Sequence, residues 1–89
     1  MPETHQFEAL VEEQGQATPF TVTLTGPFEV NSGQDFFYRI ESAELLDREY
    51  NIYGENEQLA KEHALKFLKI FLEQRKVIDS QGQEIDWNF

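Results

Sequence analysis

The sequence contains no cysteine, only three prolines and one methionine, and few basic residues. Without cysteine there is no disulfide frame, no thiolate nucleophile and no zinc ribbon. Seven Lys and Arg stand against 17 Asp and Glu, a formal net charge of −10. That balance excludes ordinary electrostatic contact with a phosphate backbone, so no direct nucleic-acid binding is expected. The most apolar window, Ala64 to Leu72, is interrupted by Lys66 and Lys69 and is too short to span a bilayer. Met1-Pro2-Glu3-Thr4-His5 lacks a basic n-region and no apolar h-region follows it, so no secretory signal is read. Trp87-Asn88-Phe89 carries no lipidation or retention signal. A cytoplasmic protein with no membrane partner is the expectation.

What is present suffices for one small domain of 89 residues, with eight Phe, three Tyr and one Trp for a core. Glycines punctuate the chain, with turn-like company at Glu13-Gln14-Gly15-Gln16, Gly26-Pro27 and Asn31-Ser32-Gly33-Gln34. Between them, four segments alternate with period 2 and read as strands: 5–13, 17–25, 35–43 and 48–53. In the first, Phe7, Ala9 and Val11 oppose Gln6, Glu8, Leu10 and Glu12. In the second, Phe20, Val22 and Leu24 alternate with Thr21, Thr23 and Thr25, as β-propensity favours. The run Phe36-Phe37-Tyr38 requires at least one aromatic to point away from the main core.

From Asn56 the period changes. Asn56 suits an N-cap and Glu57 the positive helix end, and residues 57–76 lack Gly and Pro. One helix is predicted there, with Arg75 and Lys76 in its last turn. Its apolar arc, which includes His63 and Leu65, Leu68 and Leu72, covers about two-thirds of the wheel. A helix that covers one sheet face needs a stripe of a little over ~100°, so the surplus needs a cover. Residues 83–89, with Ile85, Trp87 and Phe89 alternating after a turn at 79–83, are one candidate. They would run back along the helix or add an edge strand. A second molecule is the other candidate.

The order of elements predicts an α+β fold: an antiparallel meander of about four strands with one long helix packed on one face. From Phe36 to Trp87 the chain resembles a family of small uncharacterised bacterial domains with a β-meander followed by one long helix. The residues that carry this are Tyr38-Arg39-Ile40, Gly54, Glu57, Ala60, Ala64 and Leu65. The resemblance implies a fold and no activity.

The charge is unevenly placed. Residues 1–60 hold 12 acids and two bases, Arg39 and Arg48, whereas residues 61–89 hold five of each. If the helix covers one sheet face, the acids gather on the other face and the rim, with Glu8, Glu12, Glu41, Glu44 and Glu49 foremost. Such a surface either keeps the protein soluble or steers a basic partner.

Signals for chemistry are lacking. His63 is not part of a His-Glu-x-x-His arrangement and reads as a core residue; His5 lies near the terminus. Ser32 and Ser80 fall in turns and Ser42 on a strand, without a nucleophile elbow. No glycine-rich phosphate cradle precedes the helix, and no cofactor or metal is implied. The sequence thus predicts a small acidic non-enzymatic protein-binding module of inhibitor, immunity or antitoxin type. Its partner would be a basic protein, met by Glu41, Glu44, Arg39, Phe37 and Tyr53. The competing expectation is a homodimer through Leu65, Leu68 and Leu72.

Overall fold

The structure, a computed structural model, describes residues 2–30 and 35–85. Five strands form one antiparallel sheet: β1 (Glu3–Glu13), β2 (Gln16–Val30), β3 (Asp35–Glu41), β4 (Tyr50–Gly54) and β5 (Lys76–Ile78). The one helix among the described residues, α1 (Glu57–Glu73), lies between β4 and β5 in sequence. The α+β architecture is therefore the expected one, with one strand more than the meander required.

β1 and β2 form a long hairpin closed by the two residues Gln14 and Gly15, whose φ values are 52° and 81°. Both central residues of a type I′ turn need positive φ, and glycine takes it without strain. Phe7, Ala9 and Val11 pair with or adjoin Val22 and Phe20 on one face, which becomes the core face. β2 extends well past the expected end at Thr25. Gly26 and the cis-linked Pro27 do not turn the chain; they sit in a bulge between Thr25 and Phe28. Gly26 is needed there for close approach, because a Cβ would stand 2.7 Å from the Tyr38 ring.

The strand order is β4-β3-β2-β1-β5. All neighbours are antiparallel, so β4 and β5, at opposite edges, run the same way. Only α1 connects them. Its 17 residues extend about 25 Å at ~1.5 Å per residue, and five strands at ~4.8 Å spacing span about 19 Å. The helix is thus long enough to cross the whole sheet. It packs chiefly on β3 and β4 and meets β2 and β5.

Ala60, Ala64, Leu68 and Leu72, spaced four apart, form its buried stripe against Val22, Leu24, Tyr38 and Ile40. Beside that stripe, the surplus apolar arc is covered within the chain. Phe67 meets the tilted Tyr50 ring at 5.7 Å and stacks with Phe71 at 6.3 Å, and Leu45 and Leu46 of the β3–β4 connection also pack on the core. Ile70, 48% exposed, is the helix's one large outward apolar residue among those described.

The helix begins as expected. Asn56 Oδ1 accepts from the Leu59 amide at 2.8 Å. It ends earlier, at Glu73, and Arg75 and Lys76 follow it. Arg75 still satisfies a terminal carbonyl, donating from Nη1 to Phe71 O at 3.3 Å. Lys76 instead opens β5, paired with Glu12 at 3.4 Å. The expected turn at 79–83 is present: Asp79 Oδ1 accepts from the amides of Gln81 (2.8 Å) and Gln83 (3.0 Å). Beyond it, Glu84 bridges Ile78 and Ile85 packs on the core. Trp87 and Phe89 of the predicted tail, and the predicted turn at 31–34, lie outside the described residues.

Gly54 ends β4 directly beneath the first helical turn. A Cβ there would overlap the backbone of Leu59 and Ala60. Main-chain atoms cannot rotate aside as a side chain can, so Gly54→Ala is expected to cost about 2–3 kcal/mol. A urea midpoint equal to that of the parent protein would contradict this packing. Tyr38 is buried, and burial raises its phenol above the ordinary 10.0, with Glu3 and Glu57 adding to the effect. A raised folded-state value means the stability this group contributes is complete below the unfolded value and is lost as pH climbs through the folded one. Stability is therefore expected to fall above about pH 10, and Tyr38→Phe should flatten that fall.

Candidate protein-binding surface

Because the helix occupies one face of the sheet, the other face has no covering element among the described residues. The pleat decides which side chains it carries. Thr21, Thr23 and Thr25 of β2 lie there, paired with Glu8, Gln6 and Thr4 of β1 and, through Thr23 and Thr25, with Glu41 and Arg39 of β3. The bulge then adds one residue to β2, so Phe28 rather than Pro27 comes opposite Phe37. Phe37 is in turn paired with Tyr53 on β4.

The result is a row of aromatic rings across three strands. Phe28 and Phe37 stack at 5.0 Å, and Phe37 and Tyr53 meet at 5.2 Å with a 44° tilt. Such cross-strand aromatic pairs hold the sheet as well as presenting a surface. Tyr53 is 52% exposed, the one large aromatic so open among the described residues. Phe37 and Tyr53 both lie on the face away from the helix. Phe28 is the member the sequence did not reveal, because reading Gly26-Pro27 as a turn loses the phase of the strand beyond it.

Arg39 joins this row. Its guanidinium lies over Phe28, 5.2 Å from the ring centroid, and Nε stands 3.5 Å from Glu49 Oε2. Glu41 is exposed at the end of β3. Glu44 is different. Its Oε1 accepts from the Thr21 amide at 2.9 Å, at the point where β3 stops pairing with β2. In a two-residue hairpin the residues flanking the turn are hydrogen-bonded to each other. Ala17, Pro19 and Thr21 therefore point their main-chain groups away from β1, toward the space beyond β3. Glu44 occupies the Thr21 donor, and Pro19 has none to offer. Glu44 is thus committed to closing an edge of the sheet.

The remaining candidates fall elsewhere. Leu68 and Leu72 are buried in the core and Leu65 is half-buried. The first two therefore cannot form the outer face of a homodimer. Their positions on the wheel belong to the side that meets the sheet. His63 is exposed rather than packed in the core. It sits at the helix flank beside β4, where Nδ1 donates to Tyr53 O at 2.9 Å. His5 is ordered into β1, near Glu3 at 3.4 Å. Ser42 is buried, and its Oγ accepts from the Leu45 amide at 3.3 Å. Among the described residues no group of three His, Asp or Glu side chains is placed to hold a metal ion. Among the described residues no helix is long and apolar enough to cross a membrane.

No family model matches this chain, and comparison with curated proteins and with solved structures found no match.

The edge role of Glu44 is separable from charge. Glu44→Gln keeps an oxygen acceptor and is expected to leave stability within about 0.5 kcal/mol of the parent. Glu44→Ala leaves the Thr21 amide to water and is expected to lose about 0.5–1 kcal/mol, the net worth of one hydrogen bond. Equal urea midpoints for the two variants would remove the hydrogen bond as the reason for Glu44.

Proposed function

We propose that this protein is a non-enzymatic binding module that docks a basic protein through the helix-free face of its sheet. The observation that carries the reading is the Phe28–Phe37–Tyr53 row on a face that no described element covers. Aromatic rings anchored by their neighbours lose little conformational freedom on binding, which suits them to the centre of an interface. Glu8 and Glu41 lie on the same face, and Glu49 and Asp35 near it, so acids flank the rings. Charge then steers the approach while the rings determine the residence time. An inhibitor, immunity or antitoxin-type role is the concrete form of this proposal, in a cytoplasmic setting with which the lack of cysteine is compatible. Leu68 and Leu72, which a homodimer through the helix would need, are spent on the core.

The partner is to be recovered from nuclease-treated lysate at low salt and released at high salt, then used for kinetics. Glu41→Lys is expected to slow association about threefold to tenfold at low salt, with the difference vanishing at high salt. Phe37→Ala is expected to leave association nearly unchanged and to raise the dissociation rate about tenfold. An association rate indifferent to Glu41→Lys, together with a dissociation rate indifferent to Phe37→Ala, would overturn sheet-face docking.

A further inference from the structure

Where the aromatic row ends, at Tyr53, the surface turns a corner into a cleft of about 500 Å³ between β4 and the first half of α1, lined by Asp35, Tyr53, Gly54, Glu55, Leu59 and His63. We infer that this cleft receives an arginine side chain of the basic partner, an assignment that rests on the docking proposed above and names the chemistry of its recognition.

The first support is the donor and acceptor balance of the cleft. A backbone carbonyl can only accept, so the bond from His63 to Tyr53 O places the ring proton on Nδ1. In the neutral ring Nε2 is then a bare acceptor. Asp35 and Glu55 supply carboxylates, and neither has a basic partner among the described residues. Lys and Arg are absent from the lining. The cleft therefore offers acceptors and negative charge, and its occupant should bring donors and positive charge.

The second support is the Tyr53 ring, which selects the kind of cation. The chain has three arginines, Arg39, Arg48 and Arg75. Each lies over an aromatic ring: Phe28 at 5.2 Å, Tyr50 at 5.2 Å and Phe71 at 4.0 Å. Among the described residues Tyr53, the most exposed aromatic, has no such cation over it, and it lines the cleft with two carboxylates that have no basic partner. A guanidinium is planar, stacks on a ring and carries five donors in a fork, whereas an ammonium is a compact, strongly hydrated point charge. An exposed ring that shares one cleft with two carboxylate side chains and an imidazole fits the former. Leu59 provides an apolar wall for the aliphatic stem.

The test needs no partner. The full chain is titrated with N-acetyl-arginine methylamide and, separately, with the lysine analogue, and the ring resonances of His63 and Tyr53 are followed by NMR. The expected result is a saturable shift of both rings with the arginine compound. The lysine compound should bind at least about fivefold more weakly. Asp35→Asn with Glu55→Gln should weaken the arginine compound about fivefold or more. Tyr53→Leu, which keeps apolar bulk at an edge strand, should weaken it about threefold.

No saturable shift, equal affinity for both compounds, or undiminished binding by the Asp35→Asn/Glu55→Gln variant would overturn the assignment. A shift of the same resonances on concentrating the protein alone would give the cleft to a second copy, and would overturn it also. Glu41→Lys lies outside the cleft and is expected to leave the titration unchanged. A failed titration with partner association still sensitive to Glu41 removes the cleft alone, whereas the reverse pattern removes the sheet-face docking alone.

Discussion

The connection between β4 and β5 governs this molecule. The two strands lie at opposite edges of the sheet and run in the same direction, and a single helix must join them. A helix so placed has to lie across a face, and the described residues form no second helix for the other face. The composition of the two faces follows from that. The covered face takes Val22, Leu24, Tyr38, Ile40 and the alanine-rich stripe of the helix, where Ala60 and Ala64 let the helix approach closely. The uncovered face takes threonines, acids and the row of rings. Gly54 belongs to the same constraint, since the helix has to start almost on top of the strand it leaves.

A bare sheet face beside bare strand edges would invite indiscriminate pairing. β2 projects past β3 and would otherwise present a ladder of free main-chain groups. Pro19 and the Glu44 carboxylate remove donors at two of the outward positions of that projection. The consequence for recognition is that this projection has few main-chain donors left for a partner strand, and side chains contribute the more to it. Side-chain recognition is selective for chemistry, and the chemistry available is aromatic and acidic.

Much of the fold was legible in the sequence because its signals were local. Alternation gave β1 and the first half of β2, Asn56 gave the helix start, and Gln14-Gly15 gave the hairpin turn. The missing parts depend on contacts far apart along the chain. Gly26-Pro27 has turn chemistry, yet its glycine is required by the Tyr38 ring on the next strand and its extra residue is absorbed as a bulge. β5 is three residues long and directly follows the helix, so local propensity continues the helix through Lys76, and only pairing with Leu10–Glu12 makes it a strand. His63 falls inside the apolar arc of a wheel that has no sheet attached. The sheet sets which sector is buried, and His63 lies just outside it. Of the surface residues foreseen, Phe37, Tyr53, Arg39 and Glu41 share the open face. Glu44 and the two buried leucines do not, because a wheel or an alternation pattern shows a side and not what stands against it.

The charge imbalance can now be followed to its location. The few bases of the chain are largely engaged: Arg39 and Arg48 lie over rings next to acids, Arg75 closes the helix end, and Lys76 pairs with Glu12 across β1 and β5. Exposed pairs of this kind contribute little stability, about 1 kcal/mol at most. Their effect on the surface is larger than their effect on the fold. By holding the bases in fixed places, they leave Glu8, Glu41, Asp35 and Glu55 without a basic side chain to screen them among the described residues. These acids sit on, or at the margin of, the same open face that carries the aromatic row. Self-repulsion among them is weak at physiological ionic strength, where the Debye length is about 8 Å. A basic surface that brings its charge within that distance gains attraction from several acids at once, and the rings lie in the middle of them.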